Sequence, residues 1–315
     1  FIMESNVNIE GYGSESTIID AMSTNRVFTI EDCINNSISN ITITGGLSQG
    51  SFPNYYGGGM LIRNSNSVLT NLSIINNIAS GFGGGGGIYL YNSNSTLTDM
   101  TISDNISYRG GAIYMNNSNP FLADVTILNN STASSGGGGG GVFLNSSNPI
   151  FQDVNISNNT AGYENDFLGS GGGLLLNNSS PILNNVVIDG NISAYAGGIR
   201  LESSHPVLNE VIISNNTSSI FGGGLVLDES NPTFNNVTIN NNISNASGGG
   251  LLLNSSNPKF TNLIVDDNYA AGSGGGISLE NSNPTFLNAQ IKNNRCEVAG
   301  GGMSFTNSNP ILKNV

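Results

Sequence analysis

The residues that could do chemistry are few, and they recur at fixed spacing. Asp99, Asp124 and Asp153 occupy the same place in three successive segments. Carboxylates stacked about 5 Å apart repel unless they are protonated or bridged by a cation such as Ca²⁺. They are therefore a candidate Ca²⁺ column. Elsewhere Asn71, Asn185, Asn236, Asn262 and Asn288 hold the same place. Asn and Asp share tolerance of the left-handed conformation, so a tight bend explains the column without any metal. Glu202 and Asp228 make a second acidic pair. His205 is the single histidine, in a place otherwise filled by Asn or Ser, and reads as a turn residue. One histidine excludes a multi-His metal site and a His-based triad.

A second set of residues could bind rather than react. Leu61, Tyr89, Tyr114, Phe143 and Leu175 form an apolar and aromatic column, with Tyr91 two residues beyond Tyr89. They are expected to point outward as an exposed stripe. Such a stripe can lie under its own loops, pack a partner protein or stack sugar rings. Tyr55, Tyr56, Phe82, Tyr108, Tyr163, Phe167, Tyr195 and Phe221 lie in adjoining loops. The conspicuous insertions are 45–56 and 160–170. The second carries Glu164, Asn165 and Asp166 and is the first place to look for a catalytic set. Otherwise the arginines occupy mostly different places in the repeat, and the repeats are uniform. An active site would break a repeat locally. The reading therefore assigns no catalytic residue.

What must position these residues is the repeat itself. Pro181, Pro206, Pro232, Pro258, Pro284 and Pro310 follow one another at intervals of 25 or 26 residues. Pro120 and Pro149 precede them at longer intervals, and Ser67 and Ser95 take the same place without proline. Each copy reads GGG-apolar-x-apolar-x-x-S-N-P-x-apolar. Two residues before the proline position is serine, from Ser65 to Ser308. Ten residues after it is asparagine, from Asn77 to Asn294. Apolar residues alternate at spacing two between Gly, Asn, Ser and Pro, which suits short strands rather than helices. The spacing predicts about three strands per copy, each pairing with its equivalent one coil above and below. The fold class is all-β, a parallel β-helix of about twelve coils. Residues 1–56 are expected to be irregular N-terminal coils, and 57–315 the regular array. Like residues then stack in columns about 4.8 Å apart. Ile88 and Leu90, Val142 and Leu144, and Leu225 and Leu227 should point inward.

Composition agrees. Of 315 residues, 43 are glycine and 9% are charged, and the net charge is −13. In-register stacking would place like charges together, so charge is scarce. Eight Lys and Arg on an acidic body cannot neutralise a run of phosphates, which excludes nucleic-acid binding. No apolar run is long enough to span a membrane as a helix. Cys33 and Cys296 lie near opposite ends of the array, too far apart for an internal disulfide. Asn-x-Ser/Thr triplets such as Asn40-Ile41-Thr42 follow from the columns themselves. The chain starts at Phe1 and stops inside a repeat, as expected for a segment of a longer protein with its caps elsewhere.

The pattern resembles the right-handed parallel β-helix repeat proteins of bacterial surfaces. These include pectate-lyase-like superhelices and the chlamydial polymorphic outer membrane proteins. The GGA-I signature stands at Gly110-Gly111-Ala112-Ile113, and elsewhere as GGG followed by Ile, Leu or Val. The companion F-x-x-N is replaced by F-x-N, as at Phe234-Asn235-Asn236. The resemblance implies the right hand of the coil and an extracellular or cell-surface place. It also implies an adhesive or structural role, with self-association or another surface protein as partner. The same superhelix carries polysaccharide lyases and hydrolases, so a carbohydrate-active or glycan-binding role is the alternative.

Overall fold

The computed structural model describes residues 1–51, 53–133, 137–162 and 169–315. One coil shows the local logic. Ile88–Tyr91 is a four-residue strand, Thr96–Ser103 an eight-residue strand and Ile106–Ser107 a two-residue strand. Each pairs in parallel with its equivalent in the next coil: Ile88↔Ile113, Leu97↔Leu122 and Ile106↔Ser131. Repetition builds three parallel sheets: a short sheet of 11 strands, a long sheet of 14 and a narrow sheet of 10. The described residues contain no helix. The short sheet gives about eleven turns, close to the twelve expected for the whole chain. At ~4.8 Å per coil the stack is roughly 50 Å long.

Residues 1–56 enter the same stack. Asn8–Glu10 pairs with the first half of Ser37–Thr44, and Ile18–Asp20 with its second half. One long strand is therefore split in two by the intervening 11–17 segment. The long strand is divided again at Val207–Asn209 and Ile212–Ser214. There Glu210 sits at φ 57. Neighbouring coils place Asn185 or Asn236 at this bend, residues that adopt the left-handed region more readily than Glu.

The core is a continuous column of stacked side chains. Ile88, Leu90, Val142, Leu144, Leu225 and Leu227 are all fully buried, as the alternation requires. Phe234, Phe260 and Phe286 stack face to face with centroids 4.6 Å apart at each step.

Two internal ladders close the turns. The Asn105 side-chain amide donates to Asn130 Oδ1 at 3.0 Å and to the Ile74 carbonyl at 2.9 Å. The Asn105 backbone N–H donates to the same Asn130 Oδ1. The pattern repeats from Asn77 to Asn268, each side chain meeting that of the next coil. In the serine ladder each backbone N–H donates to the hydroxyl of the next coil, as from Ser118 to Ser147 at 3.0 Å. Cys33 takes the serine position at one end. Its N–H donates to Ser65 Oγ, and its thiol donates to the Glu31 carbonyl as the serines do. Both cysteines are free.

Candidate functional site

The outward column of the short sheet is continuous: Leu61, Tyr89, Tyr114, Phe143 and Leu175 are register partners in successive strands. They point away from the interior and form a separate apolar cluster. Of the three readings of this stripe, their burial agrees with the one in which it lies under its own loops rather than open to solvent. Tyr89 is 2% exposed and Leu175 7%, and the other three lie between or below these values. Only Tyr91 is half-buried. Among the described residues, the stripe is covered by Tyr56, by Arg109 and by the backbone at Gly84 and Gly138.

That roof is itself stacked. Gly84, Arg109, Gly138, Ser170 and Tyr195, one per loop, bridge one another in parallel along the axis. A Cβ on Gly84 would meet Tyr114 Cδ1 at 2.3 Å, and one on Gly138 would meet Leu175 Cδ2 at 2.3 Å. Glycine there lets the loop lie directly on the column. Tyr56 stacks on Tyr89 with centroids 4.3 Å apart, and Tyr114 meets Phe143 at 4.9 Å. The Arg109 guanidinium covers the Phe143 ring at 5.7 Å.

Arg26 fastens the first of these loops. It donates to the carbonyls of Asn54, Tyr56 and Gly57 and to the Thr29 hydroxyl. Burial lowers its pKa to about 10, which leaves it charged at neutral pH. Burial also pushes the Tyr56, Tyr89 and Tyr114 hydroxyls above the ordinary tyrosine range. The Arg109 charge opposes the shift at Tyr114.

The column changes character at Arg200, which stacks after Leu175. Arg200 meets Glu202 at 3.0 Å and Asp228 at 3.2 Å, and donates to Ser170 Oγ at 2.9 Å. Its guanidinium lies 5.3 Å from the Tyr195 ring centre. The Asn177 and Asn254 amides complete the set, donating to Glu202 and Asp228. Glu202 and Asp228 are thus committed to a structural ion-pair network. Beside it opens a cleft of about 260 Å³ lined by Arg109, Phe143, Asn145, Ser170, Asn177 and Glu202, among others. Its chemistry is an apolar floor with amide, guanidinium and carboxylate walls.

Asp99, Asp124 and Asp153 are exposed, each at positive φ between 54 and 55 at the bend of its long strand. Their backbone conformation accounts for the Asn/Asp preference. Asp153 accepts from Gln152 and Asn185, and these bonds lower its pKa. Among the described residues, no three His, Cys, Asp or Glu side chains gather closely enough to hold a metal ion. Arg109 lies over the short sheet, whereas Asp99 and Asp124 lie on the long one. Glu164, Asn165 and Asp166, with Tyr163 and Phe167, fall outside the described residues.

A third, exposed ladder runs past His205. The N–H of Asn119 donates to Asn94 Oδ1, Asn148 to Asn119, and so on toward Asn309. His205 joins it by accepting the Asn231 N–H at Nδ1, 2.9 Å away. The substitution at this position therefore keeps an acceptor in place. The Asn that stands one residue before most of the repeat prolines was the signal for this ladder. Arg26 gave no such signal, because its partners are backbone carbonyls of an irregular loop.

No curated protein and no solved structure gives a significant match to this sequence. The family described as "Right handed beta helix region" matches over residues 26–196, 86–262 and 173–315. Those matches overlap and together take in the array of columns and ladders described above. The stacked coils and the family match agree, and the chain belongs to the right-handed β-helix family.

Proposed function

We propose that this chain is a non-enzymatic extracellular structural or adhesive rod, displayed at a cell surface or assembled into a larger fibre or coat. The observation that carries this reading is the continuity of the asparagine ladder from Asn77 to Asn294. No coil along it gives up its ladder residue for another chemistry, whereas active sites depart from local rules where they occur. The closed roof over Tyr89, Tyr114 and Phe143 supports the same reading, because it shapes the aromatic column as a second core. The test is a polysaccharide depolymerisation screen, with and without Ca²⁺. No release of reducing ends or unsaturated products is expected. Product formed by purified protein would overturn the reading.

The alternative, a carbohydrate-active or glycan-binding β-helix, is favoured by the cleft between Arg109 and Glu202. Asn145 and Asn177 would hydrogen-bond sugar hydroxyls beside Phe143. Glycan-array binding that Asn177→Ala abolishes would support it. Self-association or another surface protein remains the expected partner of the rod.

A further inference from the structure

The long sheet carries an outward column that no loop covers among the described residues. Phe121, Ile150 and Ile182 open three successive long strands and pair Phe121↔Ile150 and Ile150↔Ile182. Each is about two-fifths exposed: 40%, 40% and 39%. Val207 extends the column, paired with Ile182 and half-buried. Single exposed apolar residues are ordinary, but four in register form a patch. The patch is about 14 Å long, three steps of ~4.8 Å.

An acidic rail runs beside it. Three residues along the same strands stand Asp124, Asp153, Asn185 and Glu210, Asn185 interrupting the rail and donating to Asp153, and Asp99 precedes them by one coil. Three extended residues separate the two columns by about 10 Å. Among the described residues, the ion-paired cations are Arg63, Arg200, Lys292 and Arg295, and none of them meets the rail. The other flank is the exposed hydrogen-bonded ladder of Asn119, Asn148, Ser180 and His205.

We propose that this face docks a cationic amphipathic helix of another protein. Its aliphatic side chains would seat on the Phe121–Val207 column, and its Lys or Arg would reach the acidic rail. Charge complementarity selects this occupant. A second copy would bring a body of net charge −13 against the same carboxylates. Spacing agrees, since a helix presents one face every ~5.4 Å, close to the coil repeat. The proposal names a partner class for the adhesive reading and rests on that reading only for the rod being displayed to partners.

The test uses the intact chain and three synthetic helical peptides of equal length, followed by fluorescence anisotropy. One peptide carries Leu and Lys faces, one Ser and Lys, and one Leu and Glu. The Leu/Lys peptide is expected to bind, and binding should weaken about tenfold in Ile150→Ser/Ile182→Ser and in Asp124→Asn/Asp153→Asn. Raising salt from about 0.05 M to about 0.3 M should weaken it further. The Asp→Asn variant keeps a residue that already holds this bend in other coils, so it preserves the fold. Equal binding of the Ser/Lys peptide, wild-type affinity in both variants or no binding at all would each overturn the proposal. So would a dimer in light scattering that Ile150→Ser dissolves, since the occupant would then be a second copy. None of these outcomes bears on polysaccharide turnover, so the two readings fail separately.

Discussion

At the residue scale, energies are decided by whether a side chain sits in an internal ladder or an exposed one. Asn191 takes two hydrogen bonds from Asn159 and gives two, to the Ile156 carbonyl and Asn216 Oδ1. It is fully buried, so Asn191→Ala strands buried partners and should cost about 2–4 kcal/mol. Asn148 makes the equivalent backbone contacts in the exposed ladder, where water replaces them. Asn148→Ala should cost under about 1 kcal/mol. Chemical denaturation of the two variants checks the contrast, and equal losses would refute it. Ala196 offers a test in the opposite direction. It holds φ 59 where adjacent coils have Gly171 and Gly222. Ala196→Gly relieves left-handed strain of about 1 kcal/mol, less the packing lost against Val226. A small rise in denaturation midpoint is expected. These positions were legible in the sequence because a ladder repeats one residue type at one place. Cys33 was not legible as a serine substitute, since only its partners Ser65 and Glu31 reveal the role.

At the scale of elements, alternation predicted which side chains leave the coil but not what they meet. Tyr89 and Phe143 do point outward, yet the segments that cover them are irregular and obey no period. A roof built from Tyr56, Arg109 and backbone at Gly84 and Gly138 leaves only scattered glycines and aromatics as its trace. Its closure has a pH signature. Tyr56, Tyr89 and Tyr114 have folded-state pKa values raised above the ordinary 10.0, chiefly by burial. A group raised in this way contributes stability that is complete below its unfolded pKa. That contribution is lost as pH climbs toward the folded value. Stability should therefore be flat up to about pH 10 and fall above it. Tyrosinate absorbance should show part of the 10 tyrosines titrating late, together with that fall. All ten ionising together in the ordinary range would mean that the roof is open in solution.

At the scale of the whole molecule, each coil touches mainly its two neighbours, so length should be adjustable in units of one repeat. The proline spacing showed this plainly. The count differed by one because the first coils lack the glycine-proline pattern and carry a divided strand at Asn8–Glu10 and Ile18–Asp20. The measurement that tests the account most directly is small-angle scattering on a variant lacking residues 233–284, two whole repeats. A rod of independent coils predicts an unchanged cross-section and a length shorter by about 10 Å. It also predicts retained β structure, with the ladder rejoined between Asn216 and Asn294. A widened cross-section or loss of the fold would show that those coils are not interchangeable, and would contradict the reading of the chain as a uniform rod.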